Sequence, residues 1–156
     1  MILTPAPLDP DAFAPFGQVA ARPAPGGRIE VGPPRTLRAT VPPCLRWTTA
    51  RPAALPLRVT TMERHRFSSQ SFIPAAGARW LVLVAPHAAV GGPDMARARA
   101  FLADDTRAIT YAPDVWHHPL TALGAEAGFA VLTFLDGSKD DEEFVPVHED
   151  VTVLPA

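Results

Sequence analysis

Nineteen prolines in 156 residues constrain this chain more than any other feature. Proline lacks a backbone donor and clashes with the preceding helical turn, so these residues leave few stretches able to hold a long helix. One short helix fits between them. Asp9 is a ready N-cap, Pro10 suits the first helical position, and the turn is expected over residues 11–16, ending before Gly17. Residues 22–35, rich in proline and glycine, read as a loop.

From there the texture is β. Short strands are expected at 36–41, 45–49, 57–65, 70–73, 98–102, 108–111 and 116–123, with a stronger one at 128–135 closed by Asp136-Gly137. The run Trp80-Leu81-Val82-Leu83-Val84-Ala85 is apolar throughout, the pattern of a strand buried on both faces. Asp140-Asp141-Glu142-Glu143 reads as solvated surface. About nine or ten short strands with regular turn signals imply an all-β fold, an antiparallel barrel or sandwich. No repeat or linker interrupts the chain, so residues 1–156 are expected to form a single domain.

Composition narrows the function classes. Apolar residues make up 47% and charged residues 19%, as in a folded globular protein. A net charge of -2 and a pI near 6.2 carry no electrostatic footprint for nucleic acid. No run approaches the ~18 apolar residues of a membrane span, and the N-terminus lacks the charged and apolar regions of a secretory signal. Cys44 is the only cysteine, which rules out an internal disulfide and suits a reducing compartment. A cytoplasmic protein is expected, acting on a small molecule rather than on nucleic acid or membrane.

The chemistry concentrates in two clusters, Glu63-Arg64-His65 with Gln70, and Trp116-His117-His118-Pro119. Histidine titrates near neutrality, so it can move protons or bind a metal. Residues two apart on a strand share a face. Glu63 and His65 therefore point together, with Arg64 opposite. Gln70 and Phe72 share a face, and Trp116 pairs with His118 while His117 points away. Glu63, His65, Gln70 and His118 are then expected to converge in one barrel mouth. His87 and His148 read as structural, hydrogen-bonded histidines.

The spacing Glu63-x-His65-x4-Gln70-x6-Gly77 resembles the first motif of the cupin barrel, with glutamate in place of its first histidine and glutamine in place of its glutamate. Pro113-x-Val115-x2-His118 resembles the second motif without its glycine. A closer resemblance is to the ureidoglycolate lyases, also called ureidoglycolate hydrolases. It is carried by Pro52-Ala53-Ala54-Leu55-Pro56-Leu57, Met62-Glu63-Arg64-His65, Gln70-Ser71-Phe72-Ile73-Pro74, Pro93-Asp94, Arg99-Ala100-Phe101, and Tyr111 followed by Trp116-His117-His118-Pro119-Leu120. The chain departs from that family at Arg107-Ala108-Ile109-Thr110, across residues 28–37, and at Asp136-Gly137-Ser138-Lys139.

The resemblance implies a cupin-like antiparallel β-barrel, or jelly roll, with a short N-terminal helix. It also implies a homodimer and the cleavage of ureidoglycolate to glyoxylate and urea in allantoin breakdown. That substrate is a hemiaminal, so its cleavage removes a hydroxyl proton and protonates the leaving nitrogen. His118 or Glu63 is the expected base, and His65 or His117 the expected acid. Arg64, Lys139 or backbone N–H groups would hold the carboxylate, with Gln70, Phe72, Tyr111 and Trp116 lining the substrate. A divalent metal on Glu63, His65, Gln70 and His118 is the variant mechanism. Nickel, zinc or manganese suits imidazole with carboxylate, and no organic cofactor is expected. The rival readings are a cupin enzyme on another small hydroxy or ureido acid, and a cupin that only binds a small ligand.

Overall fold

Alternating side chains and frequent proline breaks turn this sequence into fourteen strands, one α-helical turn and one 3-10 turn (Met95–Arg97). The computed structural model describes residues 1–156. In chain order the elements are β1 (Ile2–Leu3), β2 (Ala6–Pro7), α1 (Pro10–Phe13), β3 (Gly17–Ala21), β4 (Pro43–Ala50), β5 (Pro52–Ala53) and β6 (Leu57–His65). There follow β7 (Gln70–Pro74), β8 (Arg79–Ala85), β9 (Arg99–Asp104), β10 (Arg107–Tyr111), β11 (Trp116–His117), β12 (Thr121–Leu123), β13 (Ala127–Phe134) and β14 (Glu142–Val153). A nine-stranded sheet runs β1-β14-β6-β11-β8-β12-β5, with β9 beside β8 and β2 beside β9. A five-stranded sheet runs β3-β10-β7-β13-β4. Only the two-residue strands β1, β2 and β5 pair in parallel; every other pair is antiparallel. The expected all-β, largely antiparallel fold with a short N-terminal helix is the fold observed.

The helix is shorter than residues 11–16. Asp9 caps it by accepting the Ala12 N–H at 2.9 Å, but it ends at Phe13, since Pro15 has no N–H to continue the helical ladder. Gly17 then enters β3 with its backbone against Thr110, where a Cβ would sit 1.9 Å from the carbonyl oxygen. No larger residue fits that approach.

As its unbroken apolar run requires, β8 is buried on both faces. Trp80, Val82 and Val84 join a core with Phe72, Ile109, Tyr111, Phe129 and Val131 of the smaller sheet. Leu81, Leu83 and Ala85 join a second core with Val59, Met62, Trp116, Val151 and Val153.

Three expectations are corrected. Residues 36–41 form no strand; Thr36 makes one isolated bridge to Ser68, and the following chain turns away before Pro42 and Pro43, which supply no ladder donors. Residues 116–123 divide into β11 and β12 at Pro119. The acidic run is not wholly solvated surface. Asp141 is buried, and Glu142 opens β14, the longest strand, which lies along β6 with Glu142 opposite His65.

Candidate active site

Register places the site. Residues directly opposite on neighbouring strands share a face. On β11, His117 lies opposite Glu63 of β6 and Val84 of β8, and Val84 points into the core between the sheets. His117 therefore points inward with Glu63. Trp116, opposite Ala85, goes to the second core. This reverses the expected phase of the Trp-His-His-Pro stretch, because a shift of one residue exchanges the two faces of a strand.

Glu63, His65 and His117 are all buried, and one ligand atom from each lies within 4.8 Å of the others. The His65 and His117 rings stack at 6.0 Å between centroids, and Tyr111 lies on the other ring, 4.1 Å from His117 at 18°. Val115's carbonyl, 2.9 Å from His117 Nδ1, can only accept, so Nδ1 carries the proton. In the neutral ring Nε2 then presents a lone pair. That atom stands 3.2 Å from Glu63 Oε1, yet it has no hydrogen-bond partner. Two electron-rich atoms at this distance repel unless a proton or a cation lies between them. Both ring nitrogens of His65 are likewise buried and unpartnered, as is Gln70 Oε1.

These groups open on a cavity of about 300 Å³ lined by Glu63, His65, Gln70 and Phe72 from β6 and β7. Arg46 and Thr48 of β4 form another wall, with Arg38, Asp141 and Glu142 at the same cavity. Arg38 bonds Asp136 at 2.5 Å and Asp141 at 3.3 Å, and Asp141 also accepts the Phe67 N–H at 2.7 Å. Asp141 Oδ2 is 3.9 Å from His65 Nδ1, which sets a buried carboxylate behind that ring.

Burial first, then the neighbouring His117 imidazole, pushes His65 below the ordinary imidazole value of 6.5. Burial also lowers His118, and it raises the Tyr111 hydroxyl far above its ordinary range. Glu142 is raised by burial and by the neighbouring Glu63. At neutral pH His65 and His118 are therefore neutral, and Tyr111 is never ionised.

The expected residues divide accordingly. Glu63, His65, Gln70 and Phe72 share one cavity, with His117 and Tyr111 stacked behind it. His118 is half-buried just outside the trio, with Nδ1 bonded to the Pro119 carbonyl at 2.9 Å. It does not join Glu63 and His65 in the ligand group, so His117 replaces it in the expected metal set. Gln70 faces the same cavity, with its buried Oε1 unpartnered.

Arg64 points away, donating to Glu143 at 2.6 and 2.8 Å and to Asp114 at 2.7 Å, with its guanidinium 4.5 Å from the Trp116 ring. Trp116 is fully buried on that same far side and donates from Nε1 to His87. Neither reaches the cavity. Lys139 is exposed and absent from the cavity wall, although Ser138 lines it. Arg38, Arg46 and Asp141 escaped the sequence reading. Alternation through the expected strand at 45–49 sets Arg46 and Thr48 on one face, which is the available signal for Arg46; for Arg38 there was none.

The family model for ureidoglycolate lyase matches residues 1–153. The chain belongs to the ureidoglycolate lyase family. It is 40% identical over 139 residues to a ureidoglycolate lyase of Burkholderia cepacia, covering 80% of this chain and 75% of that protein. It is 35% identical over 159 residues to ureidoglycolate lyase 1 of Rhizobium meliloti (strain 1021), covering 96% and 91%. Among solved structures it is similar to a dTDP sugar isomerase from Desulfovibrio desulfuricans G20, at 20% identity and a TM-score of 0.48, covering 84% of this chain and 82% of that one.

Proposed function

We propose that this chain is a carbon–nitrogen lyase of the amidine-lyase type that splits ureidoglycolate into glyoxylate and urea in allantoin catabolism, as a single domain over residues 1–156. The observation that carries the reading is the buried trio of Glu63, His65 and His117, with its unpartnered ring nitrogens, beside a cavity sized for a small acid. Membership of the ureidoglycolate lyase family supports it over a cupin acting on another acid or one that only binds.

The reaction is redox-neutral and has no net proton demand. The carbon–nitrogen bond breaks, its electron pair going to nitrogen, while the hydroxyl oxygen forms the new carbonyl. The proton lost from oxygen is the one nitrogen needs. Glu63 takes it and passes it to one nitrogen of the neutral His65 ring, whose other N–H goes to the urea nitrogen, so the carboxylate is restored and the ring ends neutral as its other tautomer. His117, held by Val115 and stacked on Tyr111, forms a fixed wall of the site beside Glu63.

The same three donors fit a divalent cation. Two imidazole nitrogens and a carboxylate leave open positions for substrate, and the lone pair of His117 Nε2 facing Glu63 Oε1 needs a positive partner. Glu63, His65 and His117 would hold nickel, zinc or manganese, which when bound polarises the substrate hydroxyl oxygen. Steady-state release of glyoxylate by purified protein, with and without each added metal, tests the whole reading. No turnover under any of these conditions overturns it.

The working form is a homodimer in the cytoplasm. Leu45, Trp47 and Ile73 lie exposed on the outer face of the five-stranded sheet, with Trp47 packed flat on Gly128. A bare apolar face beside the edge strand β4 suits pairing with a second copy. No helix is long and apolar enough to cross a membrane.

A further inference from the structure

We infer that Arg46 is the residue that selects for a carboxylate on the substrate. The inference rests on the lyase reading and adds the anchor that reading lacks. The cavity wall carries four carboxylates, Glu63, Asp136, Asp141 and Glu142, against two guanidiniums, Arg38 and Arg46. Such an acid-rich chamber repels an anion unless one cation remains free to meet it. Both terminal nitrogens of Arg38 are taken, by Asp136, Asp141, Ser68 and the Phe134 carbonyl, and only its buried Nε is left without a partner.

The side chain of Arg46 is exposed and enters no ion pair or hydrogen bond, while its backbone belongs to the β4–β13 ladder. It sits on β4 opposite Val131 of β13, and Val131 lies opposite Phe72 of β7, so all three side chains share the cavity face. Arg46 lines the same cavity as Glu63, His65 and Glu142. A guanidinium binds a carboxylate through two parallel N–H donors, fixing orientation as well as charge. With the carboxylate on Arg46, the hydroxyl and urea nitrogen of the same carbon are presented toward Glu63 and His65. Arg64 and Lys139 do not reach the cavity, so neither can supply this contact.

The test compares Arg46→Gln and Arg46→Lys on two substrates: ureidoglycolate and N-(hydroxymethyl)urea, the same hemiaminal without a carboxylate. Arg46→Gln is expected to lower kcat/KM for ureidoglycolate by about 10- to 100-fold, mostly through KM, as loss of a charged hydrogen-bonded contact does. Arg46→Lys should recover part of the loss, and N-(hydroxymethyl)urea should react equally with all forms. An equal loss on both substrates, or no loss on ureidoglycolate, overturns the assignment while leaving the lyase reading intact. If the parent protein cleaves neither compound, the lyase reading fails, and calorimetric binding of oxalurate (a stable ureido keto acid) decides the role of Arg46. Binding by the parent that weakens tenfold or more in Arg46→Gln supports the role; equal binding, or none by the parent, overturns it.

Discussion

Glu63→Gln should separate catalysis from folding. With the His117 ring neutral, Glu63 Oε1 stands 3.2 Å from a nitrogen whose lone pair has no donor to accept from. Glutamine in the same rotamer places an N–H there, converting a repulsive contact into a hydrogen bond. One such bond to a buried acceptor contributes about 0.5–1.5 kcal/mol. For a domain of this size each kcal/mol moves the melting temperature by about 2–4 °C. Chelator-treated Glu63→Gln is therefore expected to melt about 1–6 °C above the parent by scanning calorimetry. Its glyoxylate release should fall by about 10²–10⁴-fold, since an amide cannot take the hydroxyl proton. A rate within a few-fold of the parent would refute the role given to the carboxylate. A clear fall in melting temperature with chelator present would refute the unpaired contact with His117.

Three further outcomes follow from the same geometry. His117→Ala should abolish stoichiometric uptake of nickel or zinc, whereas His118→Ala should retain it; equal uptake by both variants, measured by elemental analysis, contradicts the observed register. Burial keeps His65 and His118 neutral in the fold, while in the unfolded chain they titrate near 6.5. Because the unfolded state binds more protons below that value, their contribution to stability is complete above about pH 6.5 and is lost as pH falls. Urea midpoints should decline from pH 7 to pH 5, and less steeply in His65→Gln; parallel profiles would exclude His65 as a source. Trp47→Asp places a charge on the exposed outer sheet face and should give monomers in sedimentation experiments, and an unchanged mass would exclude that face as the dimer contact.

The fold was legible where side-chain patterning is local and strong. The uninterrupted run at residues 80–85 is β8, and the stretch at 57–65 is β6 with the same bounds. The longest strand, β14, was not legible, since its opening acids and Pro146 resemble a solvated turn. What makes it a strand is the whole length of β6 beside it, with an irregularity between Pro146 and Val151 that absorbs the mismatch. Asp141 was misread for a related reason. A carboxylate becomes a buried group only when partners such as Arg38 and the Phe67 N–H arrive from distant parts of the chain.

The amino-acid order alone determined the class of fold, the family, and the pairing of Glu63 with His65 on one strand face, because proline content and two-residue alternation act over a few neighbouring positions. It did not determine which histidine of the adjacent pair looks inward. That choice belongs to the register of a two-residue strand, too short to carry a periodicity of its own. Only the pairing of His117 with Val84 and Glu63 across three strands sets its phase. The freedom of Arg46 has the same origin. An arginine is available to a ligand only if no carboxylate reaches it, and where every other charge comes to rest is decided by the assembled barrel.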